Sequence, residues 1–363
     1  MVRILILWAD SRSPNLGVQV LAQGLKALAE EVWGDDVTVD FQDYGRGDSE
    51  VGFGNKSILK DLGRRNGPLK SKLRAYDLLI DSGAGDSFAD IYGFQRLAWM
   101  FNAHRLAAKL RIPVILGPQT IGPFDKAWGR AMCRYMLRKA LQVHTRDSES
   151  ATYSTNIMRV TPDALSTDVV FALPVPKVEN SYDVLLNVSG LLWQPNPHVD
   201  NVRYQRTIRS LIKDLQSNGR TVTLLSHVIE NPRPDNDVPV CRALGAELGL
   251  DVVVPTNLAE AREAVAAANL VIGSRMHACL NALSTGTPSL PLAYSRKFAP
   301  LMNGIGWTHG FDLRDDVDRV AQIGESALSL LGAAGKQEAS VLRERAQARL
   351  SLSAAAMKKF SRP

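Results

Sequence analysis

Two kinds of apolar pattern alternate along the chain. Short unbroken runs at Val2–Trp8, Val37–Phe41, Leu78–Asp81, Ile112–Leu116 and Gln142–Thr145 read as strands covered on both faces. Between them Gly17–Val32, Gln95–Leu110 and Lys126–Ala140 carry apolar residues at helical spacing, and RDSES from Arg146 opens another helix that Asp147 or Ser148 can cap. The stretch Thr161–Ser181 holds three prolines and little helical period, so it reads as a linker. The alternation then restarts, with strands at Asp183–Val188, Thr221–Ser226, Val252–Val254 and Ala268–Ile272. Helices are predicted at Tyr204–Ser217, Pro239–Leu248 and Ala259–Ala267, with a closing helix at Glu338–Lys359. Strands that alternate with crossover helices predict parallel sheets, hence an α/β chain with two Rossmann-like doubly wound domains facing across a cleft. The expected division is 1–174, 175–335 and a closing segment 336–363.

The segment LVIGSRMHACLNALSTGTP, Leu270–Pro288, departs from the generic pattern. A buried strand runs into Gly273-Ser274, a turn with a serine N-cap, and a helix follows to about Ser284, stopped by Gly286 and Pro288. Arg275 and His277 then fall at the first and third helical positions, where the macrodipole favours carboxylates and a cation costs roughly 0.3–1 kcal/mol. An anionic ligand held by backbone N–H groups, an arginine fork and an imidazole at the end of a strand would resolve the conflict. The competing reading pairs Arg275 with a nearby acid and makes His277 a hydrogen-bonded core histidine.

Composition narrows the classes. At 363 residues, with 45% hydrophobic and 22% charged positions, the sequence suits two soluble domains, and no apolar stretch approaches a membrane span. MVRILILWAD reads as a first strand rather than a signal segment, because Asp10 and Arg12 interrupt it early. Cys133, Cys241 and Cys279 form no metal-ligand spacing, so a reducing cytoplasm and no metal site are expected. The net charge of +6 is spread out. Its densest group, Lys60, Arg64, Arg65, Lys70, Lys72 and Arg74, lacks the interleaved aromatics of a nucleic-acid binder and fits an anionic lipid, a phosphorylated acceptor or a solvated face. Neither GxGxxG nor a P-loop is present, which argues against a nicotinamide cofactor, and GxSxG and HExxH are missing too.

Several loops each follow a predicted strand and are expected to project into the same cleft. They are ADSRSPNLG from Ala9, SGAGD from Ser82, GPQTIGPF from Gly117, HTRD from His144, LSH from Leu225 with Asp237 ten residues on, GSRMH from Gly273 and YSRKF from Tyr294. In this order they resemble the polysaccharide pyruvyl transferase family, most specifically through GSRMHACLNALSTGTPSLPLAYSRKF at Gly273–Phe298, and also through TDVVFALP at Thr167–Pro174. The resemblance implies a GT-B-like fold and transfer of the pyruvyl unit of phosphoenolpyruvate onto two hydroxyls of a sugar, forming a ketal and releasing phosphate. It carries Arg275 and His277 over as donor-site residues, with His277 proposed to protonate C3 of the enol when the donor is bound. Ser274, Arg146, Lys297 and His227 complete the expected phosphoenolpyruvate contacts, and Asn15, Asp86 and Gln119 are expected on the acceptor side.

Each assignment has a plainer counterpart: a salt bridge with Asp147 or Glu149 for Arg146, a solvated loop lysine for Lys297, a structural histidine for His227. The chain also departs from the family pattern. Ala84 stands where a third glycine is common, Thr145 where a valine or aromatic residue is, and the residue before His227 is not proline. A glycosyltransferase with a nucleotide-sugar donor and a non-catalytic glycan-binding relative are the competing functions. The expected partners are phosphoenolpyruvate as co-substrate and a sugar acceptor on a lipid, a nucleotide or a polymer. No cofactor and no nucleic acid are expected, and the expected place is the cytoplasm at the inner face of the membrane.

Overall fold

The structure is a computed structural model that describes residues 2–45, 51–85, 88–296, 298–315 and 317–360. It divides into two compact units, one comprising Met1–Ser11, Leu21–Leu173 and Ala346–Pro363, the other Arg12–Val20 and Pro174–Arg345.

The first unit is built on six parallel strands: β1 (Val2–Leu7), β2 (Val37–Gln42), β3 (Leu78–Asp81), β4 (Val114–Gln119), β5 (Gln142–Thr145) and β6 (Ala164–Leu165), in the order β2-β1-β3-β4-β5-β6. Ile4–Leu7 and Leu78–Ile80 are fully buried, as runs without polar alternation require. β4 extends past the expected Leu116 through Gly117-Pro118, where its register against β5 shifts. A Cβ at Gly117 would stand 3.0 Å from Leu25 and 3.3 Å from Ile80, so glycine lets the helix Leu16–Trp33 approach the sheet.

The second unit holds β7 (Tyr182–Asn187), β8 (Val222–Leu225), β9 (Val252–Val253), β10 (Ala268–Gly273), β11 (Ser289–Ala293) and β12 (Phe311–Asp312), in the order β12-β11-β10-β7-β8-β9. Counted from β7, this is the 3-2-1-4-5-6 order of a dinucleotide-binding fold, whereas the first unit has the 2-1-3-4-5 order of the other common doubly wound sheet.

The boundaries differ from the sequence-based ones. The loop and first helical turn at Arg12–Val20 group with the second unit. The closing helix starts at Ala333 and ends at Met357, contributing to the second unit up to Arg345 and to the first from Ala346, so it is no separate segment. Residues 161–173 pack as part of the first unit, with β6 and a short helical turn at Val169–Ala172, rather than forming a bare linker.

The basic stretch also gains structure that its charge concealed. Helices Asn55–Asp61 and Pro68–Leu73 meet at Asp61, whose carboxylate accepts from the N–H groups of Leu69 (3.0 Å) and Lys70 (3.3 Å). A Cβ at Gly67 would overlap that carboxylate at 1.9 Å. Lys70 is buried with its ammonium on the Asp61 carbonyl at 2.8 Å, and burial lowers Lys72 to about 8 against the opposing pull of Asp40. Lys60, Arg64 and Arg65 stay exposed, beside exposed Leu59 and Leu62. Among the described residues no helix is long and apolar enough to cross a membrane.

Candidate functional site

In an open parallel sheet, ligands bind beyond the carboxyl ends of the strands where the order reverses. In the second unit that point lies between β7 and β10, whose last residues, Asn187 and Gly273, are register partners. Asn187 is fully buried and ties three strand ends together. Its amide oxygen accepts from Arg275 N at 2.9 Å, its amide nitrogen donates to Leu225 O at 3.0 Å, and its carbonyl accepts from Ser274 N at 3.3 Å.

The helix after β10 runs Met276–Thr285, one residue later than its sequence suggested. Arg275 is its N-cap, with extended backbone and no side-chain cap bond, and His277 is the second helical residue. Ser274 is therefore not the cap. Its hydroxyl accepts from Tyr204 Oη at 2.9 Å in full burial, while Tyr204 Oη accepts from Ser189 N at 3.0 Å, so Ser274 anchors the turn.

Arg275 does have an acidic neighbour. Its Nε and Nη2 donate to Asp237 Oδ1 at 3.2 and 2.7 Å, with Arg275 8% and Asp237 0% exposed. Burial works against the guanidinium charge, but the Asp237 carboxylate more than offsets it and holds the arginine above its usual pKa. Asp237 also accepts from Gly190 N (2.8 Å), His227 N (3.1 Å) and Val228 N (2.9 Å). A carboxylate held by so many donors is fixed in place, and it fixes the arginine with its Nε–Nη2 edge turned inward. The acid-pair reading of Arg275 is thus realised, through Asp237, 38 positions away, which the sequence places on the loop after His227 without showing its partner.

His277 sits against the loop Arg12–Val20. A Cβ on Gly17 would stand 2.7 Å from His277 Nδ1 and 3.1 Å from Asn15 Oδ1, so only glycine there leaves room for the ring. Asn15 Oδ1 accepts from Gly17 N at 3.0 Å, Leu16 N donates to His227 O, and Ile229 N donates to Pro14 O. These contacts correct the placement of Asn15 on the acceptor side with the first domain, because its loop is stitched to the His227 segment of the second unit.

His227 is 1% exposed, with its Nε2 3.1 Å from Asn281 Nδ2. Burial first, and then the positive neighbours His277 and Arg275, push its pKa down to about 3. It is a neutral imidazole near neutral pH.

The remaining expected residues lie elsewhere. Arg146 belongs to the first unit, 2% exposed, with Nη1 on Asp168 at 2.9 Å and Nε on Thr120 Oγ1 at 2.9 Å; its partner is neither Asp147 nor Glu149. Asp147 instead caps the helix Ser148–Tyr153 through Ser150 N. Gln119, at the end of β4, is 0% exposed with its amide against Gly83, where a Cβ would overlap it at 1.6 Å. Asp86 and Lys297 lie outside the described residues. Gly83, Ala84 and Gly85 all take positive φ (57°, 46° and 77°), so the glycine preference at Ala84 reflects a left-handed backbone. Among the described residues no group of three or more His, Cys, Asp or Glu side chains could hold a metal ion.

Two parallel-sheet α/β domains with a cation-bearing helix N-terminus at a switch point define a GT-B-like protein. Solved structures agree on the fold: a Listeria monocytogenes protein assigned as a UDP-N-acetylglucosamine 2-epimerase (12% identity, TM-score 0.63, 100% of this chain and 98% of that one) and the Neisseria meningitidis UDP-GlcNAc 2-epimerase bound to UDP-GlcNAc (11%, 0.58, 99% and 100%). Anabaena HepE in complex with UDP and glucose is a third (13%, 0.52, 99% and 98%). A comparison with curated proteins finds no match. The family model for polysaccharide pyruvyl transferase matches residues 15–296, most of the chain, and the protein belongs to that family.

Proposed function

We propose that the protein transfers the pyruvyl unit of phosphoenolpyruvate to two hydroxyls of a sugar in a glycan or glycolipid. The observation that carries this reading is the placement of Arg275 and His277 at the start of a helix, at the switch point of the second sheet, within the matched family region. With Asp237 on its Nε–Nη2 edge, Arg275 would address the donor's carboxylate or phosphate with its Nη1 edge, and the helix N-terminus adds oriented N–H groups. In this reading His277 delivers a proton to C3, and C2 becomes electrophilic. The two acceptor hydroxyls form C–O bonds to C2 while its bond to the phosphate oxygen breaks. Of the two hydroxyl protons, one replaces that given by His277 and one leaves on phosphate, so the ketal carries a methyl group and inorganic phosphate is released. Lys297 is retained as a donor contact and the first unit as the acceptor side. Exposed Leu59 and Leu62 among Lys60, Arg64 and Arg65 support docking on an anionic membrane surface that carries the acceptor.

The test is incubation with phosphoenolpyruvate and a panel of p-nitrophenyl hexosides, reading phosphate release and the ketal methyl signal by NMR. Stoichiometric phosphate and ketal are expected. Transfer from UDP-sugars with no ketal from phosphoenolpyruvate would overturn the reading.

A further inference from the structure

A buried polar chain runs from Arg262 to Asn281 to His227, and its chemistry fixes which ring nitrogen of His227 carries the proton. Arg262, 4% exposed, has Nη1 2.9 Å from Asn281 Oδ1 and 2.9 Å from Ser284 Oγ, and Nη2 3.1 Å from the carbonyl of Pro174. A guanidinium only donates, so the Asn281 atom facing it is the amide oxygen and the amide nitrogen faces His227. That nitrogen only donates as well. At 3.1 Å, His227 Nε2 must therefore accept, and the single proton of the neutral ring sits on Nδ1.

The surroundings reinforce this. Asn281, fully buried, is four residues after His277, so both lie on one face of the helix Met276–Thr285 with His227 packed against it. Arg275 and His277 of that helix disfavour a second proton on the ring. Asp237, whose carboxylate accepts the backbone N–H of His227, is committed to Arg275 and to further backbone N–H groups. Charge alone would not select a tautomer; the asparagine does.

We propose that Arg262 and Asn281 are positioning residues that lock His227 as its Nδ1–H tautomer, a neutral hydrogen-bond donor whose Nε2 lone pair is already used and cannot act as a general base. The catalytic consequence rests on the pyruvyl-transfer reading of this site: His227 stabilises oxygens of the donor, and the acceptor hydroxyls lose their protons to another group.

The experiment is a long-range proton–nitrogen NMR spectrum of the full chain labelled with nitrogen-15 at its six histidines, with His227 assigned by the signals lost in His227→Gln. A pyrrole-type Nδ1 and a pyridine-type Nε2 are expected, unchanged from about pH 8 to about pH 5. In Asn281→Asp a carboxylate replaces the amide donor, and Nε2 should change to the pyrrole type. A wild-type Nε2 that carries the proton, an imidazolium that forms near neutrality, or a pattern unaltered in a folded Asn281→Asp would overturn the proposal. Should Asn281→Asp fail to fold, the wild-type spectrum decides by itself. Absence of turnover with phosphoenolpyruvate would count against the pyruvyl-transfer reading and leave the tautomer result standing. With turnover present, the pH profile of kcat should show no limb from His227 in the wild type and gain one in Asn281→Asp.

Discussion

The two sheets end their reversal points in opposite ways. Between β1 and β3 the first unit places Trp8, 1% exposed and at φ 61°, with its Nε1 on Asp81 at 3.1 Å and its ring stacked on Tyr44 at 4.7 Å. His104 Nε2 closes on the same carboxylate at 2.6 Å. Between β7 and β10 the second unit places Asn187, Arg275 and Asp237 and opens a ten-residue helix there. Both points bury a carboxylate, Asp81 at the end of β3 and Asp237 at the start of the helix Val238–Leu248, yet one is filled by an aromatic ring and the other is faced by an arginine and a helix N-terminus. Topology supplies the location; side chains decide whether an anion can be held there.

The comparison breaks most readily at its two carboxylates. Arg275→Ala should abolish turnover with phosphoenolpyruvate and cost about 3–5 kcal/mol of stability, because Asp237 is left buried without its cation. Denaturant unfolding and phosphate release read the two effects, and Arg275→Lys separates them by restoring charge without the fork. Asp81→Asn should cost a similar amount in the first unit while leaving the KM for phosphoenolpyruvate unchanged. A large rise in that KM would mean that the first switch point also serves the donor.

Next in size is Gly17→Ala, whose Cβ must displace the His277 ring. Turnover is expected to fall by roughly 100-fold with phosphoenolpyruvate affinity little changed, since misplacement by about an ångström has that effect. Equal loss of affinity would show that His277 binds the donor rather than protonating it.

A third contrast is pH dependence, to which each unit contributes a buried histidine with a depressed pKa. Burial lowers His144 to about 4, against a small opposing effect of Asp163, and His227 to about 3. Below the ordinary histidine value of 6.5 the unfolded chain takes up protons that the folded protein refuses. Their contribution is therefore fully present above pH 6.5 and is lost as pH falls through about 4 and then about 3. Denaturant midpoints should be flat above 6.5 and fall below it, and His227→Gln should make the fall shallower. The smallest expected effect is Ala84→Gly, which relieves a left-handed backbone and stabilises the first unit by up to about 1 kcal/mol, measured as a small rise in Tm.

The fold was legible because buried parallel strands write themselves as unbroken apolar runs such as Val2–Trp8 and Ala268–Ile272, each followed by a helical period. Arg275 and His277 were legible because cations at the start of a helix contradict its dipole. The pairing of Asp237 with Arg275 was not, since it arises only when the proline-rich loop after β8 folds back onto β7 and β10. Asn281 carried a faint signal as a polar residue inside the apolar helix ACLNAL, but its partners Arg262 and His227 come from other segments. Gly17 read as a helix opening, and its clearance for His277 exists only in three dimensions. The full burial of Gln119 and Ser274 was likewise hidden by their loop positions.

Calorimetric titration of phosphoenolpyruvate and, separately, of UDP into the wild-type protein and Arg275→Lys tests the donor site most directly. Saturable binding of phosphoenolpyruvate is expected, weakened at least tenfold in Arg275→Lys as loss of a bidentate charged contact should do, with no binding of UDP. Binding of UDP that depends on Arg275, with none of phosphoenolpyruvate, would contradict this expectation.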